Sequence, residues 1–289
     1  MDDDFVMDKR LVRRSFDRAA AGYDAAAVLQ HEVCRRMLSR LEYVRQLPAT
    51  ILDAGSGTGN AVPALRARYP EAVLIELDIA LAMVRLSRKR VTWWRRFLGR
   101  GVAPLCADIE HLPLRAAAVD MIWSNLALQW AHDPQHAFAE MRRVLTPGGL
   151  LMFSTFGPDT LKELRAAYAG TDGYTHVNRF IDMHDIGDML VQAGFADPVM
   201  DMETMTLTYA DVRALMRDLK AIGAHNVAAG RRPGVTPRSV LAAVESNYES
   251  WRYDGRLPAT FEVVYGHAWL PRPRTTGDGR PIIPIKVRG

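Results

Sequence analysis

Ala49-Thr50-Ile51-Leu52-Asp53-Ala54-Gly55-Ser56-Gly57-Thr58-Gly59 joins a short apolar run to three alternating glycines. Residues 49–54 have the length and composition of a buried strand. At 55, 57 and 59 the missing Cβ permits positive φ and lets a ligand come close to main chain. A helical stretch runs on toward Arg68, so the unit reads as strand, glycine turn, helix. The spacing is GxGxG, whereas a dinucleotide pyrophosphate loop is GxGxxG, which disfavours a dinucleotide oxidoreductase. Taken alone, the turn also suits a tight strand-to-helix connection that holds nothing.

On the C-terminal side the same alternation repeats. Strands are expected at 73–77, 103–107, 119–123 and 150–156, with helices at 80–90 and 134–145, the last closed by Pro147-Gly148-Gly149. Strands that alternate with helices predict an α/β, doubly wound, mainly parallel sheet. Further along, a helix is expected at 183–193 ending at Gly194, a strand at 198–209, helices at 211–222 and 237–253, and a final strand at 260–270. Two late strands flanking a helical stretch suggest an antiparallel edge whose connection, 209–256, has grown into a cap. On the N-terminal side, residues 1–47 contain no proline before Pro48 and read as a helical preface. The 289 residues are expected to form a single domain.

Composition sets the class. With 48% hydrophobic and 24% charged residues the chain is ordinary and globular, not disordered or fibrous. No apolar run approaches the roughly 18 residues of a membrane helix, and the acidic start MDDDFVMDKR is not a signal peptide, so stable membrane insertion is not expected. Two cysteines, Cys34 and Cys106, without a CxxC partner or histidine pair, give no disulfide framework and no metal site, and fit a reducing cytoplasm. Seven basic and no acidic residues fall between Arg85 and Arg100, and five basic residues against Asp278 lie in 267–289, so the rest is net acidic. Positive charge confined to two segments suits an acidic partner, although a solvated helix face explains any single run.

In open α/β sheets ligands sit beyond the carboxyl ends of the strands. Asp78, 19 residues after Gly59, ends the second expected strand and can accept from both hydroxyls of a ribose; Asp108 ends the third and can accept from an exocyclic adenine amine. Taken singly, each acid reads more readily as a helix cap or surface charge. In this order after the glycine turn they form a nucleoside cradle.

The ordered segments DAGSGTG (53–59), LIELD (74–78), LCADIEHLPL (105–114), DMIWSNLALQW (120–130) and VLTPGGLLMFSTF (144–156) resemble class I S-adenosylmethionine-dependent methyltransferases. The resemblance implies a Rossmann-like sheet of seven strands with the last antiparallel. It implies that Asp53 and the Gly55, Gly57 and Gly59 loop face the amino acid part of S-adenosylmethionine, Asp78 and Ile79 the ribose, and Asp108 and Ile109 the adenine. Asn125 and Leu126 would line the methyl end. Outside these motifs, SFDRAAAGYD (15–24), FSTFGPDTLKEL (153–164), FIDMHDIG (180–187) and DLKAIGAHN (218–226) resemble the malonyl-acyl-carrier-protein O-methyltransferases of biotin synthesis. The implied reaction esterifies the free carboxylate of a malonyl thioester borne by acyl carrier protein, the opening step of pimeloyl synthesis. Related proteins with a TFGxDTLxEL-like segment serve respiratory-complex assembly. Methylation of another small metabolite such as a quinone precursor, and cofactor-dependent assembly without methylation, therefore stay open.

A carboxylate acceptor needs no general base, because it is already ionised near pH 7. Tyr23, in the helical preface, is the expected catalytic residue, covering the cofactor and donating a hydrogen bond. Gln30 and Trp130 are expected walls of the substrate pocket, and Arg179 or Lys220 the cation that meets the substrate anion. Arg95 and Arg96, interleaved with Trp93, Trp94 and Phe97, are expected to dock the acidic carrier. No nucleic-acid module is recognisable.

Overall fold

The computed structural model describes residues 7–90, 102–224, 226–228 and 230–272. Strands β1 (Thr50–Ala54), β2 (Val73–Asp78), β3 (Val102–Cys106), β4 (Val119–Asn125), β5 (Leu145–Phe156), β6 (Ala196–Tyr209) and β7 (Leu257–Trp269) form one sheet in the order β3-β2-β1-β4-β5-β7-β6. The first five pair in parallel, and β7 runs antiparallel to both β5 and β6. This is the seven-stranded, mainly parallel, doubly wound sheet expected of the class I methyltransferase fold. Leu52 of β1 lies opposite Ile75 on one side and Ile122 on the other, so the chain order reverses at β1. A crevice opens at such a reversal.

Successive residues of the central strands serve opposite layers. Ile51, Met121, Trp123, Leu150 and Met152 join one buried cluster, while Leu52, Ile122, Leu151 and Phe153 join the other. Both faces are covered by helices, which is why these strands read as continuous apolar runs. The N-terminal segment supplies α1 (Lys9–Ala19), α2 (Tyr23–Ala26) and α3 (Val28–Arg40). Next come α4 (Val62–Arg68), α5 (Leu81–Arg90) and α6 (Pro134–Val144), each between parallel strands. Then follow α7 (Lys162–Tyr168) and α8 (Met183–Gln192), with α9 (Val212–Ala221) and α10 (Arg238–Tyr248) between β6 and β7. Asp8, Asp133, Asp182 and Asp211 cap α1, α6, α8 and α9 by accepting backbone N–H groups of the first turn.

Three of the differences from the sequence expectation have a clear structural cause or bear on the site. Helix α6 stops at Val144, and Leu145 already pairs with Val119, because Pro147 disfavours helical backbone ahead of it and Thr146 turns its hydroxyl to Asp120 at 3.0 Å. β7 begins at Leu257 and pairs up to Tyr209, lengthening the antiparallel edge. Helix α7 falls where only a loose connection was expected. It starts from the left-handed Leu161 (φ 55°) without a side-chain cap, and is held by Glu163, 2% exposed, which accepts from the Thr260 N–H at 3.0 Å and from its hydroxyl.

Candidate functional site

The carboxyl ends of β1, β2 and β4 open into a cavity, roofed by residues of α1 and α2 and closed on the far side by Thr160, Leu161 and the end of α9. The glycine turn is tied down first: the Gly55 and Ser56 N–H groups donate to the Leu77 carbonyl at 2.7 and 2.9 Å. Gly57, at φ 56°, donates to Asp78 Oδ2 at 2.9 Å, and a Cβ built there would meet nothing nearer than the Tyr23 ring at 4.0 Å. Gly59 faces the other way. Its Cβ would fall 2.5 Å from Glu76 Oε1 and 2.6 Å from Ser87 Oγ, so its left-handed backbone (φ 82°) serves packing against α5.

Asp78 accepts from Gly57 and, at 2.8 Å, from the Ala80 N–H. Burial pushes its carboxyl up to about 6 despite these bonds. Asp53 is buried at 2% exposure behind the turn, where burial and the neighbouring Glu76 and Asp78 hold its carboxyl well above the usual range. Asp108 accepts from the Glu110 N–H at 3.1 Å and from Lys9 Nζ at 2.9 Å; Lys9 also pairs with Glu110. That ammonium comes from α1 and crosses the end of β3.

Other contacts hold the N-terminal helices over the opening. Asp17 accepts from the Ala82 N–H at 2.8 Å, capping α5 from outside, and Asp24 accepts from the Thr58 hydroxyl. Phe16 meets Trp130 edge to face at 5.2 Å. Tyr23 points at the glycine turn, and burial together with the Asp78 and Asp24 charges pushes its phenol far up, so at neutral pH it stays protonated and does not act as a base. At the β4 end, Asn125 Nδ2 donates to the Gln30 carbonyl at 3.2 Å and its Oδ1 accepts from Ser154 Oγ at 3.0 Å. Leu126 takes a left-handed backbone (φ 50°), a conformation costing about 1–3 kcal/mol that the Ser154 hydroxyl and carbonyl hold in place at 3.0 and 3.1 Å.

Of the residues expected from sequence, Tyr23, Gln30, Gly55, Gly57, Asp78, Ile79, Asp108, Ile109, Asn125, Leu126 and Trp130 line this cavity. Asp53 and Gly59 stand behind its wall. Arg179 lines an adjoining cavity that shares Gln129, Phe156 and Phe180 with the first, and Lys220 lines an outer one beyond α9. Arg95 and Arg96 lie outside the described residues. Sequence reasoning missed Lys9, Gln129, Thr160, Asn178 and Asn226, which also line the cavity. Asn178 and Gln30 each carry a buried side-chain oxygen with no partner among the described residues. Only their tertiary placement marks them; a lone Asn or Gln in a loop or preface helix carries no signal.

Residues 52–153 match the family described as "Methyltransferase domain". A Gallionella capsiferriformans protein named malonyl-[acyl-carrier protein] O-methyltransferase is 59% identical over 281 residues, 97% of both chains. The chain belongs to the malonyl-[acyl-carrier protein] O-methyltransferase family. A second member so named, from Laribacter hongkongensis, is 59% identical over 98% of this chain and 97% of its own. Solved structures show how widely the family's fold is shared. Haemonchus contortus phosphoethanolamine N-methyltransferase 2, in complex with S-adenosyl-L-methionine, matches with a TM-score of 0.54 at 15% identity over 89% of this chain and 57% of that one. The [4+2]-cyclase SpnF matches at 0.51 and 21% identity over 83% and 82%. A cyclase on the same frame shows that the fold alone does not choose the chemistry. Among the described residues of this family member, no helix is long and apolar enough to cross a membrane.

Proposed function

We propose that this protein transfers the methyl group of S-adenosylmethionine to the free carboxylate of a malonyl thioester on acyl carrier protein, releasing a methyl ester. Full-length kinship at 59% identity to proteins of that name carries the reading, and the cavity's chemistry supports it. The residues fit the donor: open space beside Gly57, a buried carboxylate at Asp78, and an unpartnered oxygen on Gln30 face one cavity. Gly55 and Gly57 would meet the amino acid part through main chain, with Asp53 and Gly59 fixing the turn from behind. Asp78 and Ile79 would take the ribose, Asp108 and Ile109 the adenine, and Asn125 and Leu126 the methyl end. When bound, the cofactor supplies an electrophilic methyl group on a sulfonium, so transfer to a carboxylate yields a neutral ester.

Opposite charges vanish in that reaction, so a fixed cation tight against the acceptor would stabilise the starting state more than the transition state. The cavity wall meets this condition. Its ammonium, Lys9, is engaged by Asp108 and Glu110, and its His176 by Asp172 at 2.7 Å. Neutral donors remain for the carboxylate: the Tyr23 hydroxyl and the amides of Gln30 and Asn178, either of which can turn an NH2 toward an anion. Trp130 and Phe16 exclude water above them. Arg179 lines the adjoining cavity and not this one.

Residues 1–289 act in this reading as a single domain in which 1–47 closes over the donor and 209–256 caps the acceptor. A reducing cytoplasm suits Cys34 and Cys106, both free thiols. Incubation with methyl-labelled S-adenosylmethionine and malonyl-acyl carrier protein should give a labelled, base-labile ester. No label in the carrier fraction, with cofactor binding intact, would defeat the proposal.

A further inference from the structure

The central cavity and an outer recess share Leu164, His176, Leu219, Ala224 and Asn226 as a common wall, and the rest of the recess is lined by residues that include Lys220, Arg231, Arg232 and Thr236. Among the described residues, three cations line this mouth and no carboxylate does. Lys220 is exposed at the end of α9, and among the described residues neither it nor Arg231 makes an ion pair. Arg232 is held without being used up: its guanidinium stands 5.0 Å over the Tyr174 ring and 3.6 Å from Asp172 Oδ2, while its Nη1 is buried without a hydrogen-bond acceptor. The backbone beneath is fixed. Thr175 pairs with Arg231, its N–H donates to the Gly230 carbonyl at 3.0 Å, and the Asn226 amide donates to the Thr175 carbonyl.

The other opening differs in sign. The cavity that shares Phe156 and Phe180 with the centre sets Asp185 and Asp188 against Arg179. An anionic carrier would be repelled there and drawn to the Lys220 side.

We infer that Lys220, Arg231 and Arg232 bind the phosphodiester of a phosphopantetheine arm, admitting a carrier-borne thioester beside α9. The inference rests on the esterification reading and adds the entrance and the anion that is read there. Guanidiniums grip a phosphate through two parallel hydrogen bonds and an ammonium adds a point charge. Inward of them Leu164, Leu219 and Ala224 take the alkyl part of the arm, and Asn226 and His176 offer polar atoms to its amides. The phosphate thus stays at the rim while the acyl end reaches the neutral donors of the centre.

Phosphopantetheine and pantetheine differ only in the anion, so calorimetry with each tests the mouth without turnover. At low salt the wild-type protein should bind phosphopantetheine at least about tenfold more tightly. That ratio should fall severalfold toward one in Lys220→Gln/Arg231→Gln, which keeps Arg232, and in the wild type as salt is raised. The two malonyl thioesters should show the same convergence in KM. Retained affinity for S-adenosylhomocysteine reports that the variant is folded. Equal binding of the two arms by the wild type, a ratio that survives in the double variant, or inorganic phosphate bound as tightly as phosphopantetheine would each overturn the assignment. Should the wild type bind the arms as expected yet methylate neither thioester, the esterification reading falls and the mouth stands.

Discussion

Two glycines two positions apart do different work. Gly57→Ala introduces a methyl into open space beside Tyr23 at a positive φ, so it should cost about 1 kcal/mol of backbone strain and weaken S-adenosylhomocysteine binding more than it lowers thermal stability. Gly59→Ala drives a methyl into Glu76 and Ser87 and should instead lower the unfolding free energy by about 1–3 kcal/mol in denaturant titration. Asp78 brings a pH dependence. Its carboxyl, ordinarily near 3.8, is raised to about 6, so the folded protein holds that proton more tightly than the unfolded chain. Its contribution to stability is complete below about pH 4 and is lost as pH rises through about 6. Ribose hydroxyls donate to the ionised form, so affinity for S-adenosylhomocysteine should weaken as pH falls below about 6. Asp78→Asn should flatten that profile and weaken binding by about 1–3 kcal/mol near neutral pH, both readable by calorimetry. The glycine spacing was legible because glycine adopts positive φ without the strain that a side chain such as that of Leu126 or Leu161 incurs. That Gly59 faces inward was not, since three alternating glycines look alike until β2 and α5 are packed beside them.

The central parallel strands β1, β4 and β5 were legible for a related reason: both faces are buried, so each announces itself as an apolar run, while β1, β2 and the edge strand β3 are marked by Asp53, Asp78 and Asp108 at or just past their ends. Helix α7 was not. Its seven residues start at a left-handed leucine with no cap, and their stability comes from a distant strand. Glu163→Ala should therefore strand the Thr260 N–H and hydroxyl in the core and cost about 2–3 kcal/mol in chemical denaturation. A cavity wall is displaced with it, because Leu161 and Leu164 border the site; the variant should lose methyl transfer along with stability. The resemblance to the family in 153–164 marked this segment as shared but implied no helix there, because its constraint is tertiary.

Across the molecule, the roof over the donor site is tethered by side chains to several elements: Lys9 to Asp108 and Glu110, Asp17 to α5, Asp24 to Thr58. The Asp8 N–H also donates to the Val227 carbonyl at 3.3 Å, joining the roof to the segment after α9. A ligand held beneath should slow amide hydrogen exchange in α1 and α2 more than in β4, whose amides the sheet already protects. In Lys9→Ala that contrast should shrink, with faster exchange of α1 in the free protein; unchanged exchange would show that the tether is idle. The insertion of α9 and α10 leaves Tyr209 of β6 and returns at Leu257 of β7, which are paired neighbours. Because the two ends are clamped side by side, this excursion can lengthen, shorten or be rewritten without disturbing the register of any strand. Natural variation could therefore alter which acceptor is admitted while the machinery that grips the methyl donor is inherited intact.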